Sequence, residues 1–338
     1  MPDPPPHTIT PAILSLVAEI AGEVGRLGAL QSPGKVPMLR RENRIRSIHA
    51  SLAIENNTLS LNQVTAVLSG KRVLGPPGEI QEVKNAFSAY EAMTTWNPSS
   101  VKDLLSAHGL MLEGLVSEAG KFRSRAVGIA QGKQIVHLAP PANLVPSLMK
   151  NLLGWLRRTD AHPLVSSCVF HYELEFIHPF ADGNGRIGRL WQTLILSHWN
   201  PLFAFLPVET VIRDQQQEYY KVLATCDTAG NSTAFIEFLL RALLTALGEV
   251  AENDSSSEQV DAQVSEQVTK ILQACLHGPK TKAELLASAG LANAYLNYKR
   301  HILPLLQSGI LEMTISDKPN SRLQKYRLTD KGRRMTYE

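Results

Sequence analysis

The sequence has few cysteines and lacks long apolar runs, and both facts exclude whole classes of protein. Only three of its 338 residues are cysteine. Cys168, Cys226 and Cys275 lie far apart and match no zinc or redox spacing, so neither a disulfide framework nor a Cys-based metal module is expected. They are expected to be buried thiols acting as small core hydrophobes. No apolar stretch approaches ~18 residues without a charge, which excludes a membrane-spanning helix. The opening MPDPPPHTIT has neither a basic nor an apolar region of the kind a signal peptide needs. Charge is also sparse: 34 basic against 31 acidic residues leave a net +3, so the whole chain is no polyelectrolyte. What is abundant is apolar sequence, 44 % of residues, which excludes disorder and suits two or three packed domains. A cytoplasmic chain with no membrane partner is the expectation.

The small net charge hides an asymmetry. Residues 264–338 carry 12 basic and 6 acidic residues, or +6, which leaves 22 − 25 = −3 for the remainder. A basic tail on a mildly acidic body points to a distinct partner for the tail.

Patterning makes the body mainly α. Apolar residues recur with helical period over Ile13–Leu30, Met38–Glu55, Thr58–Leu68, Glu79–Met93 and Val101–Gly114. Residues 125–138 read instead as a β-hairpin turning near Gly132, a candidate flap. Helical period returns over Asn143–Leu156, Pro163–Phe176, Ile187–Trp199, Arg213–Cys226 and Thr233–Val250. The polar run Asn253–Glu258 reads as a linker within 251–263. Beyond it, helices are predicted over Val264–Cys275, Thr281–Ser288 (with a Thr281/Glu284 capping box) and from Leu291 to Leu306, the last interrupted by Pro304. Strand-like stretches Gly309–Ile315 and Lys325–Leu328 follow, with a turn at 319–321 between them. Three helices and two strands over basic sequence resemble a winged helix-turn-helix.

The chemistry concentrates in His178-Pro179-Phe180-Ala181-Asp182-Gly183-Asn184-Gly185-Arg186-Ile187-Gly188-Arg189. A loop joins two helices there. Gly183 and Gly185 let the backbone approach a ligand and present N–H groups at a helix start, an arrangement suited to phosphate. Arg186 and Arg189, three apart, can add forked charge to the same anion. Asp182 is a hard oxygen ligand suited to Mg²⁺. His178 is placed to take a proton. A phosphate cradle, a metal carboxylate, two arginines and a base suit nucleotidyl or phosphoryl transfer. No Walker A loop is present. A metal-hydrolase reading through His171, Glu175, His178 and Asp182 remains an alternative, although zincin spacing is absent.

The string His-x-Phe-x-Asp-Gly-Asn-Gly-Arg-x-x-Arg resembles the signature of the Fic family of AMP-transferring enzymes. The resemblance extends over roughly residues 40–245. It implies a Fic-type helical bundle with a small hairpin flap, with an N-terminal helical region (1–95) and a catalytic core (96–250); the sequence pattern adds a linker (251–263) and the winged helix (264–338). It also implies that ATP with Mg²⁺ is bound by the loop. His178 would deprotonate a Ser, Thr or Tyr hydroxyl of a target protein, or of the chain itself, for attack on the α-phosphorus. Asp182 would hold Mg²⁺; Gly183, Asn184 and Gly185 would form the anion hole; Arg186 and Arg189, with Ile187 and Gly188 between them, would bind the outer phosphates. Doc-type kinases lack this loop sequence, and phosphocholine transfer is a further chemistry known in the family.

A second element resembles the family's inhibitory motif: Ser51-Leu52-Ala53-Ile54-Glu55-Asn56, on a predicted helix over 38–56. Ile48, Leu52 and Glu55 share a helical face, so Glu55 is expected to point inward, where a carboxylate needs a partner. Arg189 is the expected partner, and removal of AMP is a secondary activity seen in relatives. The resemblance also implies that the flap around Gln134–Leu138, with Val136 and His137, lines up the target backbone by β-augmentation. Tyr220 and Asp227 resemble the segment beside the adenine. In the tail, Lys299, Arg300 and His301 fall on the expected recognition helix, and Lys318, Arg322, Lys325 and Arg327 on the wing; DNA and protein partners, including a second copy of the chain, both remain open. The competing reading is a nucleotide-sensing regulator with little transferase activity.

Overall fold

The computed structural model describes residues 4–30, 36–131, 134–276, 278–315, 318 and 321–334. Side chains are described for all of these except 28–30, 36–39, 128–131, 134–138, 252–265, 331 and 334. The chain divides into two units, one to Val250 and one from Ala251.

In the first unit, α1 (Pro11–Leu30), α2 (Val36–Ile54), α3 (Leu61–Leu68), α4 (Pro77–Ala92) and α5 (Val101–Met111) precede the hairpin. Ser100 caps α5 by accepting from Asp103 N–H, and Ser60 with Gln63 forms a capping box on α3. Strands β1 (Gly128–Gln131) and β2 (Gln134–Leu138) pair antiparallel, with an irregularity between Ile129 and Ala130. The expected turn at Gly132 lies outside the described residues. Then come α6 (Val145–Arg158), α7 (Pro163–Ile177), α8 (Asn184–Trp199), α9 (Val208–Asp214), α10 (Gln216–Ala229) and α11 (Thr233–Leu276). Helices α7 and α8 are the central pair. Phe170, Leu174, Ile187, Leu190, Trp191 and Leu194 are fully buried in a core that also takes Ile48 and Leu52 of α2, Tyr90 of α4 and Leu104 of α5. This burial of apolar faces fixes where the α7–α8 loop sits.

Most element boundaries shift by a few residues at most, and three departures from the sequence pattern are larger or have a clear cause. Arg213–Cys226, expected to be helical throughout, is divided at Gln215, whose backbone leaves helical geometry (φ −110°, ψ 28°) between α9 and α10. The polar run Asn253–Glu258, expected to be a linker, lies within α11. No glycine or proline occurs between Gly248 and Gly278, so nothing there breaks a helix, and Ser and Asp carry only a small helix penalty. The helix expected from Leu291 starts at Tyr295, because Ala294 is extended (φ −110°, ψ 152°).

In the second unit, the end of α11 is followed by α12 (Lys282–Ser288), which carries the Thr281/Glu284 capping box. Next comes α13 (Tyr295–Asn297), which continues through a π turn at Tyr298–Ile302 into α14 (Leu303–Gln307). Pro304 lies just past that turn and does not end the helix. Antiparallel β3 (Leu311–Met313) and β4 (Tyr326–Leu328) follow, then α15 (Asp330–Arg334). Lys280, between α11 and α12, forms an antiparallel bridge with Tyr326. A separate core of Ile271, Leu285, Leu286, Ile302, Leu305, Leu311 and Leu328 holds these elements together. Of the turn expected at 319–321, residues 319 and 320 lie outside the described residues.

Candidate active site

Helix α7 ends on His178, which adopts a left-handed conformation (φ 50°, ψ 60°) while its N–H still donates to the Leu174 carbonyl. Histidine is among the few non-glycine residues that visit this region, and such positions cluster at functional sites. The loop that follows is tied by its own residues. Asn184 closes a two-way clamp: its Oδ1 accepts from Phe180 N–H and its Nδ2 donates to the Phe180 carbonyl, both at 2.9 Å. Phe180 stacks on His108 of α5, with ring centroids 3.8 Å apart. Gly120 N–H donates to His108 Nδ1 at 2.8 Å, so the proton sits on Nε2, which donates to the Asp182 carbonyl at 3.0 Å. Burial pushes the His108 pKa down, consistent with this neutral form.

Gly183 caps α8 with φ 83°, and a Cβ there would fall 2.7 Å from Leu112 Cδ2. The first N–H groups of α8 have no intrahelical acceptor, and the helix dipole is positive there. Gly185 lies in that first turn. A Cβ on it would collide with Glu55 Oε1, so the Glu55 carboxylate rests directly against the Gly185 backbone.

The two arginines divide the work. Arg186 donates to Glu82 Oε1 of α4 and to Asp182 Oδ1, each at 2.9 Å. Glu82 in turn accepts from Asn57 Nδ2 at 2.8 Å, which links the loop to the segment after α2. Arg189 is 2 % exposed. Its Nε donates to Ser51 Oγ at 3.0 Å, and its Nη2 donates to the Ser51 carbonyl at 3.0 Å and to Glu55 Oε1 at 2.7 Å. Burial opposes the Arg189 charge, yet the Glu55 carboxylate holds its pKa above the ordinary value. Ser51, Glu55, Gly185 and Arg189 are therefore brought into one cluster. Asn56 plays a local role. It takes a left-handed conformation (φ 67°) and donates to Ala53, while Asn57 N–H reaches back to Leu52, a Schellman end to α2.

Asp182 is the candidate Mg²⁺ ligand. Its Oδ1 accepts from Gly183 N–H at 2.6 Å and from Arg186, and its side chain is 56 % exposed at the mouth of the loop. A single exposed carboxylate beside a phosphate cradle fits Mg²⁺, which keeps several waters and takes its other ligands from phosphates. Among the described residues no group of three His, Cys, Asp or Glu side chains is gathered to hold a metal. The metal-hydrolase alternative is removed at His171, which is fully buried. Its Nδ1 donates to Gln192 Oε1 at 2.8 Å, and its Nε2 accepts from Tyr219 OH at 3.2 Å. Burial pushes its pKa down to about 3.

The remaining expected residues are distributed around this centre. Ile187 is core, and Gly188 lies against His171 and Glu175 of α7. Tyr220 is exposed and meets buried Tyr219 edge-on. Asp227 accepts from Tyr172 OH at 3.0 Å, which ties α10 to α7. Burial, then Asp227, raises the neighbouring Glu173 to about 7. The backbone at Val136 and His137 lies in β2, while their side chains lie outside the described residues. All three cysteines are buried free thiols.

Sequence reasoning missed Arg123. It is 3 % exposed and spends its guanidinium on backbone carbonyls. Its Nε reaches His178 at 2.7 Å, Nη1 reaches Arg125 at 2.9 Å, and Nη2 reaches Pro140 at 2.6 Å and Ile177 at 3.3 Å. Its own N–H donates to the Pro179 carbonyl at 2.9 Å. One side chain thus fixes the His178 backbone and both flanks of the hairpin. No spacing rule marks such a residue, because its partners are backbone atoms.

A helical core thus gathers a tethered histidine, an exposed carboxylate and two buried arginines, Arg186 and Arg189, around the first turns of α8. Residues 98–196 match the Fic/DOC family, and residues 266–329 match the "Filamentation induced by cAMP protein Fic-like, C-terminal domain". A Fic family protein from Desulfovibrio desulfuricans G20, known as a crystal structure, is 54 % identical, with a TM-score of 0.75 over 97 % of this chain and 99 % of that one. The chain belongs to the Fic family. Among curated relatives, the protein adenylyltransferase Fic of Nematostella vectensis is 30 % identical over 62 % of this chain and 49 % of its own. The protein adenylyltransferase fic-1 of Caenorhabditis elegans is 28 % identical over 71 % of this chain and 50 % of its own. The chain spans about half the length of these curated relatives. No described helix is long and apolar enough to cross a membrane.

Proposed function

We propose that the protein transfers AMP from ATP to a Ser, Thr or Tyr hydroxyl of a target protein and is held inactive by Glu55. The observation that carries this reading is the position of the Glu55 carboxylate. It sits against Gly185 at the start of α8 while bonding Arg189 at 2.7 Å. An internal anion there satisfies an anion site and blocks it for phosphate. In the active state Arg189 releases Glu55 and takes the γ-phosphate, while the α8 N–H groups and Arg186 hold the rest of the chain of phosphates. His178, with its backbone fixed by Arg123, accepts the proton of the target hydroxyl. The oxygen attacks the α-phosphorus, the bond to the bridging oxygen breaks, and pyrophosphate leaves. Asp182 would hold Mg²⁺, which supplies neutralisation of phosphate charge. Tyr220 and Asp227 border the place for the adenine, and β2, with Val136 and His137, offers an edge for the target backbone. The described helices and strands between residues 264 and 334 are read as a winged helix-turn-helix, and the free thiols suit the cytoplasm.

Intact-protein mass spectrometry after incubation with Mg²⁺–ATP, alone and with cell lysate, tests this. AMP adducts on the protein itself or on a lysate protein are expected to increase in Glu55→Gly and to vanish in Glu55→Gly/His178→Ala. Adducts that persist without His178, or no adduct from any of the three proteins, would overturn the transfer reading.

A further inference from the structure

We infer that the unit from Ala251 is a double-stranded DNA-binding module, independent of the transfer site. Its element order is helix, bridge residue, helix, helix, strand, strand, and the bridge Lys280–Tyr326 adds a third backbone segment to the β3–β4 pair. The helix running from Tyr295 through the π turn to Gln307 buries Ile302 and Leu305 in its own core. One face of its first two turns is exposed, while Tyr298 packs against the core and His301 is buried. Tyr295 and Leu296 are each 73 % exposed, and Lys299 and Arg300 are exposed one turn further on. Tyr295 with Lys299 and Leu296 with Arg300 are i,i+4 pairs, so two parallel rows each carry an apolar group followed by a cation. This is the part of a recognition helix that reaches base edges, with cations placed for phosphates.

The β3–β4 hairpin extends the same chemistry. Arg322, Lys325 and Arg327 are exposed on it, and Leu323 beside them is 78 % exposed. Two acidic groups of this unit are already engaged: Glu312 pairs with Arg327 at 2.6 Å, and Glu284 caps α12. Lys299, Arg300, Arg322 and Lys325 form no ion pair among the described residues. Four free cations on a helix and a hairpin match a lattice of phosphates. A protein-docking face has the opposite composition, with lysine depleted and apolar anchors at its centre. Here the exposed apolar groups are few, the adjacent Tyr295 and Leu296 on the helix and Leu323 on the hairpin, and each lies within four residues of an exposed cation, which suits contact with thymine methyls and sugar edges.

The test is fluorescence anisotropy of a labelled mixed-sequence duplex of about 25 base pairs with the full chain, across salt. Binding is expected at about 50 mM salt, with log K falling linearly against log [salt] at a slope near −0.9 per neutralised phosphate. Four such contacts weaken binding roughly 100-fold between about 50 and 200 mM. Lys299→Ala/Arg300→Ala lowers the slope by about 2 and weakens low-salt binding by roughly tenfold or more. Both positions are exposed, and an unchanged melting temperature verifies the fold. His178→Ala leaves the binding unchanged, so failure of the transfer chemistry and failure of this inference are separable. Absence of binding at about 50 mM salt overturns the inference. So does binding that Lys299→Ala/Arg300→Ala leaves intact, and so does equal affinity and slope for heparin, which would reduce the face to a generic polyanion surface.

Discussion

Replacing Glu55 by glycine should lower the melting temperature without nucleotide and raise the response to nucleotide. Arg189 is 2 % exposed and holds three hydrogen bonds, two to Ser51 and one to Glu55. Breaking a fully buried ion pair from one side costs about 3–5 kcal/mol. The Glu55 side chain is 30 % exposed, so water can take over part of the solvation of Arg189, and Ser51 keeps its two bonds. A loss of about 1–2 kcal/mol remains, or about 2–6 °C for a domain of this size. Mg²⁺–ATP then returns the anion that Arg189 lacks. If the γ-phosphate gains one charge-assisted bond of about 1.5–3 kcal/mol, affinity rises roughly 10- to 100-fold, and saturating ATP lifts the variant by more degrees than wild type. Glu55→Gln is the control: it keeps shape and one acceptor but loses charge, and falls between the two. The assay is thermal unfolding with and without Mg²⁺–ATP. Should Glu55→Gly melt with wild type and gain the same shift from ATP, Glu55 does not compete for the phosphate position and the blocked-site reasoning is wrong.

Three other perturbations follow from the same geometry. Gly183→Ala forces a methyl to 2.7 Å from Leu112 Cδ2 at φ 83°, and should cost about 1–3 kcal/mol with weakened ATP binding, read by thermal unfolding and calorimetric titration. Arg123→Lys keeps the charge but cannot reach carbonyls of His178, Arg125, Pro140 and Ile177 together. It should slow adduct formation about 10- to 100-fold while leaving ATP affinity nearly unchanged, the split expected of a positioning residue. Acid should destabilise the protein through His171. Its folded pKa of about 3 lies below the unfolded ~6.5, so unfolded chains bind the proton first, and stability present above pH 6.5 is lost below it. At about 1.4 kcal/mol per pH unit, moving from pH 6.5 to pH 5 removes about 2 kcal/mol, and His171→Gln should flatten that slope in denaturant titrations.

The loop was legible because its chemistry is local. Residues 178–189 close on themselves through Asn184 and Phe180, and a twelve-residue string carries both the groups proposed to bind ligand and the clamp that shapes the loop. Glu55 could be placed on the inward face of α2 by period alone, since Ile48 and Leu52 are buried on the same face. What periodicity could not supply was the partner's height along the neighbouring helix, which is set by packing of α2 against the α7–α8 core. The helix boundaries failed where the deciding term was weak. A polar run without glycine or proline stayed helical in α11, while a single backbone rotation at Gln215 separated α9 from α10.

The residues that escaped the sequence reading share one physical property: they act on backbone atoms or on other positioning groups. Arg123 bonds only carbonyls, His108 holds the Asp182 carbonyl under a stacked Phe180, and Glu82 joins Arg186 to Asn57. Main-chain acceptors exist at every residue, so no residue pattern announces which of them is bound. The consequence for regulation is specific. Glu82 connects Arg186 of the loop to Asn57, immediately after the Schellman end of α2 that carries Glu55. Arg186 and Arg189 are therefore both tethered to the same end of α2, one through Glu82 and one directly. Under the proposed function, an outward movement of that helix end would free Arg186 and Arg189 together, so that release of the Glu55 block and availability of both arginines for phosphate would be one step.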